Sequence, residues 1–192
     1  MAATPSTMAP LGGNAPEFTL PDARGVEHSL ADFRESPGLL VAFLCYHCPF
    51  VIHIRKKFGA FAREYGRRGL AVVAVVSNDL DQYPQDGPEG MLKESEEGGY
   101  DFPYLLDEDQ EVAKAFRAAC TPDFFLFDGD MKLAYRGQFD DSRPGNGLPV
   151  TGGDLRAAAD AILAGEPVSQ EQRSSIGCNI KWKPGKEPDY FG

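Results

Sequence analysis

Two unbroken apolar runs of strand length, separated by one amphipathic stretch, fix most of what this chain can fold into. The first covers residues 38–44 and the second residues 70–76. Neither run alternates, so both faces of each strand must be covered, as in the central strands of a layered sheet. Between them Phe50, Ile54, Phe58, Phe61 and Tyr65 recur at helical spacing. Arg55, Lys56, Arg63 and Arg67 fall on the other face, and Gly69 ends the helix. Strand, helix and strand in this order predict a right-handed βαβ crossover with parallel strands.

The first strand-to-helix junction carries Cys45-Tyr46-His47-Cys48-Pro49. Two thiols three residues apart can bond across one helical turn with little backbone movement. A helix N-terminus offers unpaired N–H groups and partial positive charge, which favour thiolate over thiol. His47, between the thiols, can stabilise that thiolate and make the couple more oxidising. With Cys45 as the N-cap, Pro49 falls at the fourth helical position and distorts the first turn. In this reading Cys45 attacks a substrate disulfide and Cys48, one turn later, resolves the mixed disulfide. A zinc site is the rival, but it needs four ligands. Cys120 and Cys178 are isolated in sequence and the histidines are only His28, His47 and His53, so no metal is expected.

Around this unit the chain reads as one domain. Residues 1–13 are small and polar and read as a mobile arm, residues 14–165 as the domain, and residues 166–192 as a tail packed on it. Residues 17–21 alternate as a strand before the turn Pro21-Asp22-Ala23-Arg24-Gly25, and Ser29 caps a short helical turn. Residues 111–117 form a helix capped by Asp107 or Asp109. Thr121-Pro122 interrupts the chain before a strand over residues 123–128, which turns at Asp128-Gly129-Asp130 into an antiparallel return. Asp154 then caps a last helix with Leu155, Ala158, Ala159 and Ile162 on one face. A central mixed β-sheet with helices on both faces follows, extended by an N-terminal strand and a C-terminal tail.

A net charge of −10 argues against nucleic acid and anionic membranes as partners, since both reward a basic face. Four cysteines are too few for a disulfide-stapled scaffold, and the first ten residues lack the basic and apolar regions of a signal peptide. The expected compartment is the cytoplasm, where CxxC pairs serve redox or metal chemistry.

Taken together these residues resemble the thioredoxin-like superfamily, in particular the redoxin and alkyl-hydroperoxide-reductase/thiol-specific-antioxidant (AhpC/TSA) proteins. Residues 13–22 resemble the N-terminal strand of those proteins, Cys45-Tyr46-His47-Cys48 the thioredoxin CxxC, and Thr121-Pro122 the cis-proline loop that faces it. Ser77-Asn78-Asp79, Tyr83-Pro84 and residues 176–185 resemble a subgroup with a CxHCP site. The resemblance implies a thioredoxin-like α/β fold and a thiol-disulfide oxidoreductase that reduces, forms or isomerises disulfides. It implies no cofactor beyond the Cys45–Cys48 disulfide, a protein or small-molecule disulfide as substrate, and an external thiol as electron donor. Cys48-Pro49 also matches the peroxidatic cysteine of peroxiredoxins, so a thiol peroxidase stays open, although Cys45 replaces the usual threonine and the 120–123 loop lacks the peroxide-polarising arginine. A non-enzymatic redox-sensing module is the third reading. Cys120, beside Thr121, and Cys178 in the tail are candidate accessory thiols, and Trp182 an anchor for the tail. Oligomeric state is not legible.

Overall fold

The structure, a computed structural model, describes residues 3–191. In chain order its elements are β1 (Ala3–Pro5), β2 (Thr19–Pro21), β3 (Glu27–Ser29), β4 (Gly38–Phe43), α1 (Pro49–Arg67), β5 (Ala71–Val76), α2 (Pro88–Gly98), β6 (Tyr104–Leu106), α3 (Glu111–Phe116), β7 (Cys120–Thr121), β8 (Asp123–Asp128), β9 (Leu133–Gly137), α4 (Gly153–Leu163) and β10 (Ile176–Asn179). Single 3₁₀ turns cover Leu30–Phe33 and Pro84–Asp86.

The two apolar runs become β4 and β5, paired in parallel at the centre of a five-stranded sheet ordered β6-β5-β4-β8-β9. β5 and β6 are also parallel, while β8 joins β4 and β9 antiparallel, so the sheet is mixed as expected. Alternation of side chains sends Leu40, Ala42, Phe124 and Leu126 to one face, against α1 and α4. Leu39, Val41, Phe43, Phe125 and Phe127 go to the other, against α3, the N-terminal segment and Trp182. Phe58 of α1 is fully buried and contacts the rings of Tyr100, Phe102, Phe124 and Phe139. The residue beside it, Gly59, lets α2 approach: a Cβ there would stand 1.9 Å from the Gly98 carbonyl oxygen. Gly59→Ala is expected to cost about 1–3 kcal/mol through overpacking, read as a lower urea midpoint at unchanged m-value. No helix among the described residues is long and apolar enough to cross a membrane.

Three local expectations need correction. The N-terminal arm pairs: Ala3–Pro5 runs antiparallel to β10, and Ser6 is buried, because backbone groups rather than apolar side chains make that contact. Arg55 is not on a solvated face but is buried, paired with the fully buried Glu94 at 2.6 Å and with Glu97. Removing Arg55 leaves the buried Glu94 charge uncompensated, whereas Arg55 without Glu94 keeps Glu97. Helix α4 is entered from Gly152 at φ +71°, with the Asp140 carboxylate accepting the Thr151 and Gly152 amides, while Asp154 lies inside the first turn. Asp107 does cap α3, accepting from the Val112 and Ala113 amides at 3.2 and 2.8 Å.

Candidate active site

Cys45 and Cys48 meet where the C-terminal end of β4 gives way to α1. Cys48, not Cys45, is the N-cap of α1. Pro49 therefore sits at the first helical position, where its missing N–H costs nothing and its fixed φ suits the helix. The first turn is regular, with the Ile52 amide donating to the Cys48 carbonyl at 2.9 Å. Cys45 precedes the helix in an irregular turn. Both thiols are free and almost fully enclosed, at 1% and 0% exposure.

Thr121 organises the sulfurs. The Thr121–Pro122 peptide is cis. The Thr121 hydroxyl lies 3.3 Å from the Cys45 sulfur, and in its thiol form Cys48 donates to the Thr121 carbonyl at 3.1 Å. Thr121 also pairs across the strand with Cys178 of β10. The tail thus lies against the active-site loop, and Cys178 joins the pair as a third sulfur.

The electrostatics single out the middle sulfur. Hydrogen bonds from the Cys178 and then the Cys45 thiol hold Cys48 well below the ordinary thiol range, against the burial that opposes its charge. The same contact with Cys48, reinforced by burial, pushes Cys45 up, and the charge of Asp86 adds to the rise. Cys178 is raised by its bond to Cys48 and by burial. Three sulfurs thus share one negative charge, centred on Cys48 at the positive end of α1. Cys120 stands apart. Its thiol donates to the Pro122 carbonyl at 3.6 Å, and burial pushes its pKa well up.

His47 is not turned solely toward a thiolate. Its Nδ1 bonds the Asp86 carboxylate at 2.7 Å and its ring stacks on Tyr83 at 5.3 Å between centroids. Asp86 is buried and also accepts from the Asn78 side chain at 2.8 Å and from the His47 amide at 3.3 Å. With Nδ1–H donated to Asp86, His47 Nε2 carries the free lone pair, and it has no protein partner among the described residues. The Cys45 sulfur, a His47 ring nitrogen and an Asp86 oxygen lie within 4.8 Å of one another, a donor set that suits proton exchange with Cys45. Asp86 escaped sequence reasoning: it belongs to no periodic pattern, and its only signal is the nearby Tyr83-Pro84. Pro122 borders a cleft that is also lined by Phe50, Ile54, Phe139, Arg143 and Ile176.

Known proteins resemble the chain as a whole. Two solved structures superpose over nearly the whole chain: a hypothetical protein of Sinorhizobium meliloti and an uncharacterized conserved protein of Geobacillus kaustophilus. Each is 54% identical with a TM-score of 0.93. The first match covers 95% of this chain and 100% of the other, the second 96% and 98%. The thiol-disulfide oxidoreductase ResA of Geobacillus kaustophilus is 28% identical over 136 residues, 70% of this chain and 74% of that protein. The model of the AhpC/TSA family matches residues 11–136, and the chain belongs to that family.

Proposed function

We propose that this protein is a thiol-disulfide oxidoreductase in which Cys45 and Cys48 cycle between dithiol and disulfide. One observation carries the reading: both thiols stand at the α1 N-terminus against Thr121 of the Thr121–Pro122 loop. The similarity to ResA, a thiol-disulfide oxidoreductase, supports it.

Exposure does not choose between the thiols, so charge assigns the attack. The Cys48 thiolate displaces one half of a substrate disulfide, forming a mixed disulfide and releasing a thiolate that takes up a proton. Cys45 then gives its proton to the neighbouring His47 imidazole and attacks the Cys48 sulfur. The second half of the substrate leaves as thiolate, and the Cys45–Cys48 disulfide remains. Two electrons pass to the substrate, and an external thiol returns the pair to the dithiol. This order reverses the one expected from sequence alone, because Cys48 and not Cys45 is the N-cap. A protein or small-molecule disulfide is the proposed substrate, seated in the cleft beside Pro122. The cytoplasm, with its supply of reducing thiols, is the proposed setting. Insulin-disulfide reduction with serine variants of the two cysteines tests the reading.

A second reading rests on Cys48 as an N-cap thiolate followed by Pro49, which also suits attack on a hydroperoxide. Stopped-flow mixing of the reduced protein with hydrogen peroxide decides it: oxidation no faster than that of free cysteine excludes peroxidase chemistry.

A further inference from the structure

We propose that Cys178 is a third redox residue, which takes over Cys48 as disulfide partner and so opens a second oxidised form of the site. The inference rests on the Cys45–Cys48 couple proposed above.

The geometry comes from one tight backbone approach. Gly177 packs against the cis-proline loop so closely that a Cβ would lie 2.0 Å from the Thr121 carbonyl oxygen. The next residue, Cys178, is the strand partner of Thr121. That same Thr121 carbonyl accepts the Cys48 thiol at 3.1 Å. Cys48 through its sulfur and Cys178 through its strand pairing thus both lie against Thr121, and Cys45, Cys48 and Cys178 share one core cluster. Cys178 is 3% exposed, so its reaction partner must come from inside the fold. A buried thiol that merely filled space would need no polar contact, yet this one hydrogen-bonds the most acidic sulfur in the protein. Cys120, equally buried, bonds backbone groups of Pro122 and Gly177 rather than another sulfur.

The step is an internal exchange. In the oxidised protein the Cys178 sulfur, losing its proton, attacks the Cys48 sulfur of the Cys45–Cys48 disulfide. The Cys48–Cys178 bond forms, the Cys45–Cys48 bond breaks, and Cys45 leaves as thiolate and takes the proton. No electrons enter or leave. The oxidising equivalent has moved inward, and the Cys45 thiol is free again beside the substrate loop.

The test is disulfide mapping after equilibration with oxidised glutathione, acid quench, alkylation under denaturing conditions and peptide mass analysis. Wild type is expected to yield both Cys45–Cys48 and Cys48–Cys178 linkages. Cys45→Ser and Cys45→Ala are expected to block Cys48 and Cys178 together and leave only Cys120 open to alkylation. Cys178→Ala is expected to yield Cys45–Cys48 alone. If wild type forms Cys45–Cys48 but the Cys45 variants, folded by near-UV circular dichroism, leave Cys48 and Cys178 both alkylatable, Cys178 is a structural residue and the inference falls. If wild type forms neither linkage, the redox couple itself fails. If wild type forms Cys48–Cys178 but never Cys45–Cys48, the exchange step is wrong.

Discussion

Cys48→Ser is expected to lower kcat/KM for insulin-disulfide reduction by on the order of 1,000-fold, about 4 kcal/mol of transition-state stabilisation. The serine hydroxyl keeps the N-cap and the contact with Thr121, so the fold survives while the nucleophile is lost. Cys45→Ser combined with Cys178→Ala is expected to abolish turnover to the same extent by another route. The first attack still occurs, but neither Cys45 nor Cys178 remains to resolve it, so a mixed disulfide with substrate builds up at Cys48. Mass spectrometry of the quenched reaction separates the two variants. If the mixed disulfide builds up instead in Cys48→Ser, on Cys45, the roles are the reverse of those assigned from charge. Full activity in either variant would remove the dithiol couple as the working part.

The second large effect concerns Asp123, fully buried at the start of β8 opposite Phe43, the residue two before Cys45. Its Oδ2 accepts the Ala119 amide at 3.4 Å, while Oδ1 has no partner among the described residues. Burial lifts its carboxyl from 3.8 to about 7, with the hydroxyls of Ser6 and Ser175 and the Ala119 amide pulling the other way. A rise of about three units corresponds to about 4 kcal/mol. The native state holds a proton that the unfolded chain releases near pH 4. The stability this contributes is complete below about pH 4 and declines as pH rises to about 7. Asp123→Asn cannot ionise, so its stability is expected to gain on wild type steadily across that window. Urea melts of both proteins at pH 4.5, 6 and 7.5 check this; parallel pH profiles would show that Asp123 is not the titrating group.

The legible part of this fold is the part written in side-chain periodicity. Residues 38–44 and 70–76 announce β4 and β5 because a strand covered on both faces has to be apolar throughout. The stripe Phe50, Ile54, Phe58, Phe61 announces α1, and the CxxC and Thr121-Pro122 announce the two halves of the site. What the sequence hides is written in backbone contacts. Ala3–Pro5 carries no apolar alternation, and β10 holds glycine and asparagine, yet the two pair with each other and β10 pairs with β7. Pairing of that kind depends on main-chain N–H and C=O groups, which every sequence has. Arg55 is hidden for a related reason: its helical position reads as polar surface, while Glu94 of α2, distant in sequence, covers it. The register of Cys48 as N-cap is likewise a matter of a few dihedrals, which residue types alone do not distinguish from an N-cap at Cys45.

The small sheet of β1, β10 and β7 also sets an order of events during synthesis. A ribosome releases Cys45 and Cys48 early, and β4, α1, β5 and β8 can assemble as soon as residue 128 has emerged. At that stage the thiols already face Thr121, but Cys178 is still unmade. The hydrogen bond that most favours charge on Cys48 therefore arrives only with β10. Until β10 has emerged, the growing polypeptide carries the Cys45–Cys48 pair without the contact that most lowers Cys48.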